Sequence, residues 1–255
     1  MDLYSVPPAS RKFVQLVRPP EFIDQILNYG SWVVTTIPRL LYEGVRLWEE
    51  RHVPVLIRLT ENDLQGFGFP AGHPEIGTVY TAHPYAEDRY CVTASFHRRL
   101  FEERIAELAR VMRCAGAKSL TIDAAQSVES EAEAIAKLRT GIMEADPSLR
   151  VREITSSKLI LSLSGGQGQR TELPGDLLFF WAEPTWRELY DAAVTSGIEK
   201  YDLEIEDKDD HGLTGEVAGK FMEHNFNIGG KYERHLHYHL KVRVDFGGST
   251  AQRLR

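Results

Sequence analysis

Cysteine is scarce in this chain: Cys91 and Cys114 are its two thiols in 255 residues. Two cysteines cannot build a disulfide framework, and these do not form a CxxC pair, so a reduced, cytoplasmic setting is the simpler expectation. A basic surplus is missing as well. The formal net charge of −7 disfavours nonspecific nucleic-acid binding, because a phosphate-tracking surface needs an excess of Lys and Arg. Long apolar runs are also lacking. The most membrane-like stretch, Gln25–Pro38, spans fourteen uncharged residues that include Asn28 and Gly30, and Arg39 closes it. A spanning helix needs about 20 mostly apolar residues. The first twenty residues hold Ser10-Arg11-Lys12 and two Pro-Pro pairs in place of the apolar core of a secretory signal. These absences point to a soluble protein and weigh against a membrane partner.

What remains is an ordinary globular composition, 42% hydrophobic and 26% charged, sufficient for a real core. Val33, Val34, Ile37, Leu40, Leu41, Val45 and Trp48 recur at helical steps. A strand is expected over His52–Leu59. Two short β runs, Ile76–Thr81 and Arg89–Thr93, flank a turn with Pro84 and Asp88 and predict a hairpin. From Ser95, the stripe Phe101, Ile105, Leu108, Met112 and Ala115 predicts a helix that Gly116 ends. A strand over Lys118–Asp123 follows, and this β–α–β passage predicts a crossover to a parallel neighbour. A second helix is expected from Ser127 to Pro147, with Val128, Ile135, Leu138 and Ile142 inward. Val151–Ser164 returns to β character. Leu177–Trp181 reads as a fully apolar strand, and Trp186, Leu189, Tyr190 and Ala193 as a helix. Leu213, Val217, Phe221 and Met222 give the last helix. The expected class is α+β, a mixed β-sheet with helices mainly on one face and a long C-terminal strand. Residues 1–20 read as an irregular lead-in and 21–255 as one domain. Two packed halves divided near 165–175 are the alternative.

The last strand is the most legible element. Over Lys231–Phe246, one register holds Tyr232, Leu236, Tyr238, Leu240, Val242, Val244 and Phe246. The other holds Lys231, Glu233, His235, His237, His239, Lys241 and Arg243. Alternate residues of a strand point to opposite faces, which predicts one apolar face and one basic, histidine-rich face. Imidazoles two residues apart on a strand can share a metal ion, so two of His235, His237 and His239 are candidate zinc ligands. A third ligand would come from Glu233, His83, His97 or a neighbouring acid.

One helix earlier, Tyr201, Leu203 and Ile205 alternate with Asp202, Glu204 and Glu206. If the two strands are neighbours, the acidic row and the histidine row share a face and can pair across the ladder. Carboxylates at that distance favour the protonated imidazole, which would make the ladder sensitive to pH.

Two further stretches attract a motif reading. Leu163-Ser164-Gly165-Gly166-Gln167, with Gln169-Arg170 and the later Leu177-Leu178-Phe179-Phe180, resembles the signature loop and Walker B region of ABC-type ATPases. That resemblance implies nucleotide and magnesium binding. Yet no GxxxxGK[ST] occurs, Ala182 stands at the magnesium-binding Asp position, and Pro174-Gly175 interrupts the intervening segment. Gly165–Gly168 is read instead as a turn. Asp207–Gly212 opens like a calcium loop, but His211 is at the fifth position and Ala218 at the twelfth. A turn capped by Asp210 or Thr214 is expected there.

With no complete catalytic signature, the sequence points to a non-catalytic binding or regulatory protein whose surface is the histidine-rich sheet face. Its partner would be a protein or a small-molecule ligand. The alternatives are a zinc-dependent hydrolase built on the HxHxH strand and a membrane-active protein using the long strand with the Val33–Trp48 helix. The sequence sets no oligomeric state.

Overall fold

Nine strands and four helices form among the described residues. The computed structural model describes residues 13–17, 56–59, 61, 64–126, 131–155, 158–163, 171–207, 211–223, 225–233 and 238–247. The helices are α1 (Phe96–Cys114), α2 (Glu131–Ala145), α3 (Pro184–Ser196) and α4 (Gly215–Glu223). Two compact units divide these residues, one drawn from 1–98 and 210–235, the other from 99–209 and 236–255. The chain is of the α+β class.

In the first unit, β1 (Phe13–Leu16), β2 (Leu56–Leu59), β3 (Val79–Ala82) and β4 (Tyr90–Val92) make a mixed sheet in the order β2-β1-β3-β4. β1 and β2 are parallel, and the other pairs are antiparallel. β3 and β4 are the expected hairpin. Thr93 Oγ1 donates to the Val79 carbonyl at 2.8 Å and shares a 2.9 Å bond with Thr81 Oγ1, so these buried hydroxyls find partners on the hairpin itself. Val14, Leu59, Tyr80 and Tyr90 form a core against which Phe67 and Phe69 pack. Phe221 of α4 meets Phe13 edge-on at 5.1 Å. Thr214 Oγ1 accepts the Val217 N–H at 3.2 Å and so caps α4, as one of the two expected residues. Residues 208–210, in the calcium-like stretch, lie outside the described residues.

The second unit holds an antiparallel sheet of β5 (Ser119–Gln126), β6 (Arg150–Ile154), β7 (Lys158–Ser162), β8 (Lys200–Asp207) and β9 (Tyr238–Asp245), in the order β6-β7-β5-β9-β8. Leu120, Ile122, Leu159, Leu161, Leu203, Ile205, Leu240, Val242 and Val244 line one face, and all are buried. Each such side chain contributes about 1.5–3 kcal/mol of transfer free energy, an upper estimate. α2 packs on β5, β6 and β7 through this face, with Ile135, Leu138 and Ile142 buried. The expected stripe of α1 is buried too, and the helix ends as its glycine predicts. Gly116 takes φ 92°. Its N–H reaches the Arg113 carbonyl at 3.0 Å, and Ala117 N–H reaches that of Met112 at 2.9 Å, a Schellman closure.

Several expectations need correction. β1 lies inside the stretch read as irregular: four residues, all buried, are too few to show a period. The helix between β4 and β5 is not a crossover, because those strands belong to different sheets. Nor do β8 and β9 form a parallel β–α–β unit. β9 runs antiparallel to both β5 and β8, and the intervening α4 belongs to the first unit. A helical connection permits a parallel return without requiring one.

Leu177–Trp181 is not a strand. Glu107 of α1 takes its backbone donors: Oε2 accepts the Leu178 N–H at 2.7 Å, and Oε1 accepts those of Phe179 and Phe180 at 2.8 and 2.7 Å. Arg104 pairs with Glu183, and Arg110 with Asp176 at 2.9 Å, so one helix grips the loop at three points. Donors spent on a carboxylate are not available to a ladder. The segment is apolar because Leu177, Phe179 and Phe180 are buried, and the Walker B-like strand is absent. Finally, the long strand begins later than Lys231: within the described residues β9 starts at Tyr238. The expected helix over Val33–Trp48, residues 127–130 and the Gly165–Gly168 turn lie outside the described residues.

Candidate functional site

The outer face of the five-stranded sheet follows from alternation. With Leu203 and Ile205 inward on β8, and Leu240, Val242 and Val244 inward on β9, the residues between them must point the other way. The register then sets Asp202 opposite Arg243, Glu204 opposite Lys241 and Glu206 opposite His239. Three of the four acids of β8 stand opposite a basic residue of β9, and the fourth, Asp207, is registered with Tyr238. Cross-strand pairs of opposite charge stabilise a sheet by roughly 0.2–1 kcal/mol at most positions.

At one end the pair is specific. Arg243 Nε donates to Asp202 Oδ1 at 2.7 Å and Nη2 to Oδ2 at 3.2 Å, a two-point contact that matches a planar guanidinium to a carboxylate. The hydrogen bonds from Arg243 hold the Asp202 carboxyl below the usual carboxylate range, and the same bonds raise the guanidinium further. In the middle, Lys241 Nζ lies 3.7 Å from Glu204 Oε1. The charges continue onto strands that sequence reasoning did not include. Asp123 of β5 stands opposite Lys241, and Lys158 of β7 stands opposite Asp123, with 3.5 Å between Nζ and Oδ1. The signal for them was local: Leu120 and Ile122 alternate with Thr121 and Asp123, and Leu159 and Leu161 with Lys158 and Ile160. At the far end, Gln126 of β5 is the backbone partner of His239, after an irregularity that follows Ala124.

The structure brings Asp202, Glu204, Glu206 and His239 into one ladder at the level of the backbone. The side chains of Glu206 and His239, and all of His235 and His237, lie outside what is described. Glu233 is not on β9. Its N–H donates to the Ala94 carbonyl at 2.9 Å, and its Oε2 accepts from Arg98 Nε at 2.6 Å within the first unit. His83 and His97, the distant ligand candidates, are also in that unit and buried. His97 Nε2 donates to the Leu213 carbonyl at 2.8 Å, and His83 Nδ1 accepts the Tyr85 N–H at 3.2 Å. Each contact engages one ring nitrogen of a buried imidazole. Among the described residues, no group of three His, Cys, Asp or Glu side chains could hold a metal ion. The zinc reading therefore rests on His235, His237 and His239, whose side chains lie outside what is described. No described helix is long and apolar enough to cross a membrane. Cys91 and Cys114 are buried thiols.

Compared with protein-family models, with curated proteins and with solved structures, the chain matches none.

Proposed function

We propose that this is a non-catalytic binding protein of regulatory type, and that its recognition surface is the outer face carried by β8 and β9. The observation that supports it is the register of Asp202, Glu204 and Glu206 against Arg243, Lys241 and His239. Residues two apart on a strand are about 6.6 Å apart, so the face offers both signs of charge at a fixed spacing. Each described cation already stands beside a carboxylate, which suits a polypeptide partner of mixed charge better than a polyanion. The reading includes a proton-sensitive element at the His239 end, where Glu206 and Gln126 are the backbone partners of His239. Two buried cysteines kept as thiols support a reducing, cytoplasmic setting.

Amide and imidazole NMR signals followed from about pH 8 to pH 5 on the full chain test this reading. The backbone amides around Glu206 and His239 should move together along one titration, and Glu206→Gln should reduce that movement. Amides of β8 and β9 that stay flat across the range, with the histidine ring titrating alone, would remove the reading.

A further inference from the structure

We infer that the partner of this face is a second copy of the chain. The inference rests on the recognition reading above and names its occupant. Across β8, β9, β5 and β7, the central row reads Glu204, Lys241, Asp123, Lys158: negative, positive, negative, positive. Such a row is antisymmetric. Turned about a twofold axis that runs parallel to the strands, between β9 and β5, it places every charge opposite its complement. Glu204 then meets Lys158 of the second copy, and Lys241 meets Asp123. A twofold contact needs this kind of self-complementarity.

The neighbouring rows do not oppose the arrangement. Lys200, Asp245, Ser119 and Ser162 form one row, and Asp202, Arg243, Thr121 and Ile160 the next. Reversed on themselves, they bring Lys200 to Ser162, Asp245 to Ser119, Asp202 to Ile160 and Arg243 to Thr121. No like charges meet, and hydroxyls stand opposite three of the four ions. The central charges sit on exposed side chains. Their ion pairs within the sheet are 3.5 and 3.7 Å long, between side chains 42–63% exposed, so each is weak and readily exchanged for an intermolecular one. Four strands about 4.8 Å apart make a face on the order of 500 Å² in plane, below the ~800 Å² per partner of a standard interface. Association is therefore weak and reversible, suited to a concentration-dependent regulator.

Two single variants of the full chain, Lys241→Glu and Asp123→Lys, test this by sedimentation velocity, alone and as an equimolar mixture. In a like pair of either variant, positions 241 and 123 confront each other twice with the same sign. Each variant alone should self-associate about tenfold or more weakly than the wild type. In the mixture, all four positions are again complementary, and association should recover. The mixed pair has the same total charge as the wild-type pair, so relief of net repulsion cannot produce the recovery. Asp123→Lys by itself makes the chain less negative, and net charge alone would strengthen its association. Heteronuclear spectra of each variant confirm that the sheet is intact before mixing. A wild type that stays monomeric at high concentration, variants that associate as the wild type does, or a mixture without recovery would each overturn the inference. The pH response of the β8 and β9 amides, read on dilute monomer, tests the recognition reading separately.

Discussion

Asp202 and Arg243 stand 41 residues apart in the chain and meet through two hydrogen bonds across adjacent strands. Neither is buried, so the pair adds little to global stability, but it leaves a titration signature. Hydrogen bonds from Arg243 lower the folded-state pKa of Asp202. A carboxyl depressed on folding contributes stability that is present above its unfolded pKa, near 3.9, and is lost as pH falls through the lower folded value. Carbon-13 titration of the Asp202 carboxyl should give a midpoint below the ordinary range, and Arg243→Gln should return it there. An unchanged midpoint in the variant would show that the contact does not persist in solution.

Glu107 predicts a larger effect. It is buried, and its two oxygens accept three backbone N–H groups from Leu178, Phe179 and Phe180. Glu107→Ala strands those donors away from water, at a cost of about 2–4 kcal/mol. Glu107→Gln keeps one acceptor oxygen and should cost less. Chemical denaturation gives the magnitude. Hydrogen exchange should show the amides of 178–180 losing protection first in both variants.

Gly141 is the third case. It lies on α2, where alanine would ordinarily stabilise a helix by up to about 1 kcal/mol. A β-carbon here would fall inside the contact envelope of the Glu102 carboxyl, a buried side chain paired with Arg99 at 3.6 Å. Displacing that carboxylate outweighs the propensity gain, so Gly141→Ala should destabilise the protein by about 1–3 kcal/mol. A higher thermal midpoint for the variant would show that Glu102 can move aside without loss.

Local patterns were readable where one face of an element meets one kind of environment. Helix α1 shows this best: its stripe, its last turn and Gly116 all match their reading. The alternating strands β7, β8 and β9 do so as well, because burial of one face imposes a period of two. Short or specially bonded segments were not readable. Phe13–Leu16 shows no alternation, and Leu177–Trp181 looks like a strand because apolar content does not reveal where backbone donors go. Glu233 fits the register of the histidine row, yet it pairs with Arg98 within the first unit.

The amino-acid order alone determined the class, most helices and the division of β8 and β9 into an apolar and a charged side, since periodicity and composition act over a few residues. Only the tertiary structure decided that these strands are antiparallel neighbours, that Asp123 and Lys158 extend their ladder, and that two separate sheets exist. Strand pairing is a long-range choice: the same alternating segment can bond to any edge of matching polarity, and burial of the whole inner face selects among them.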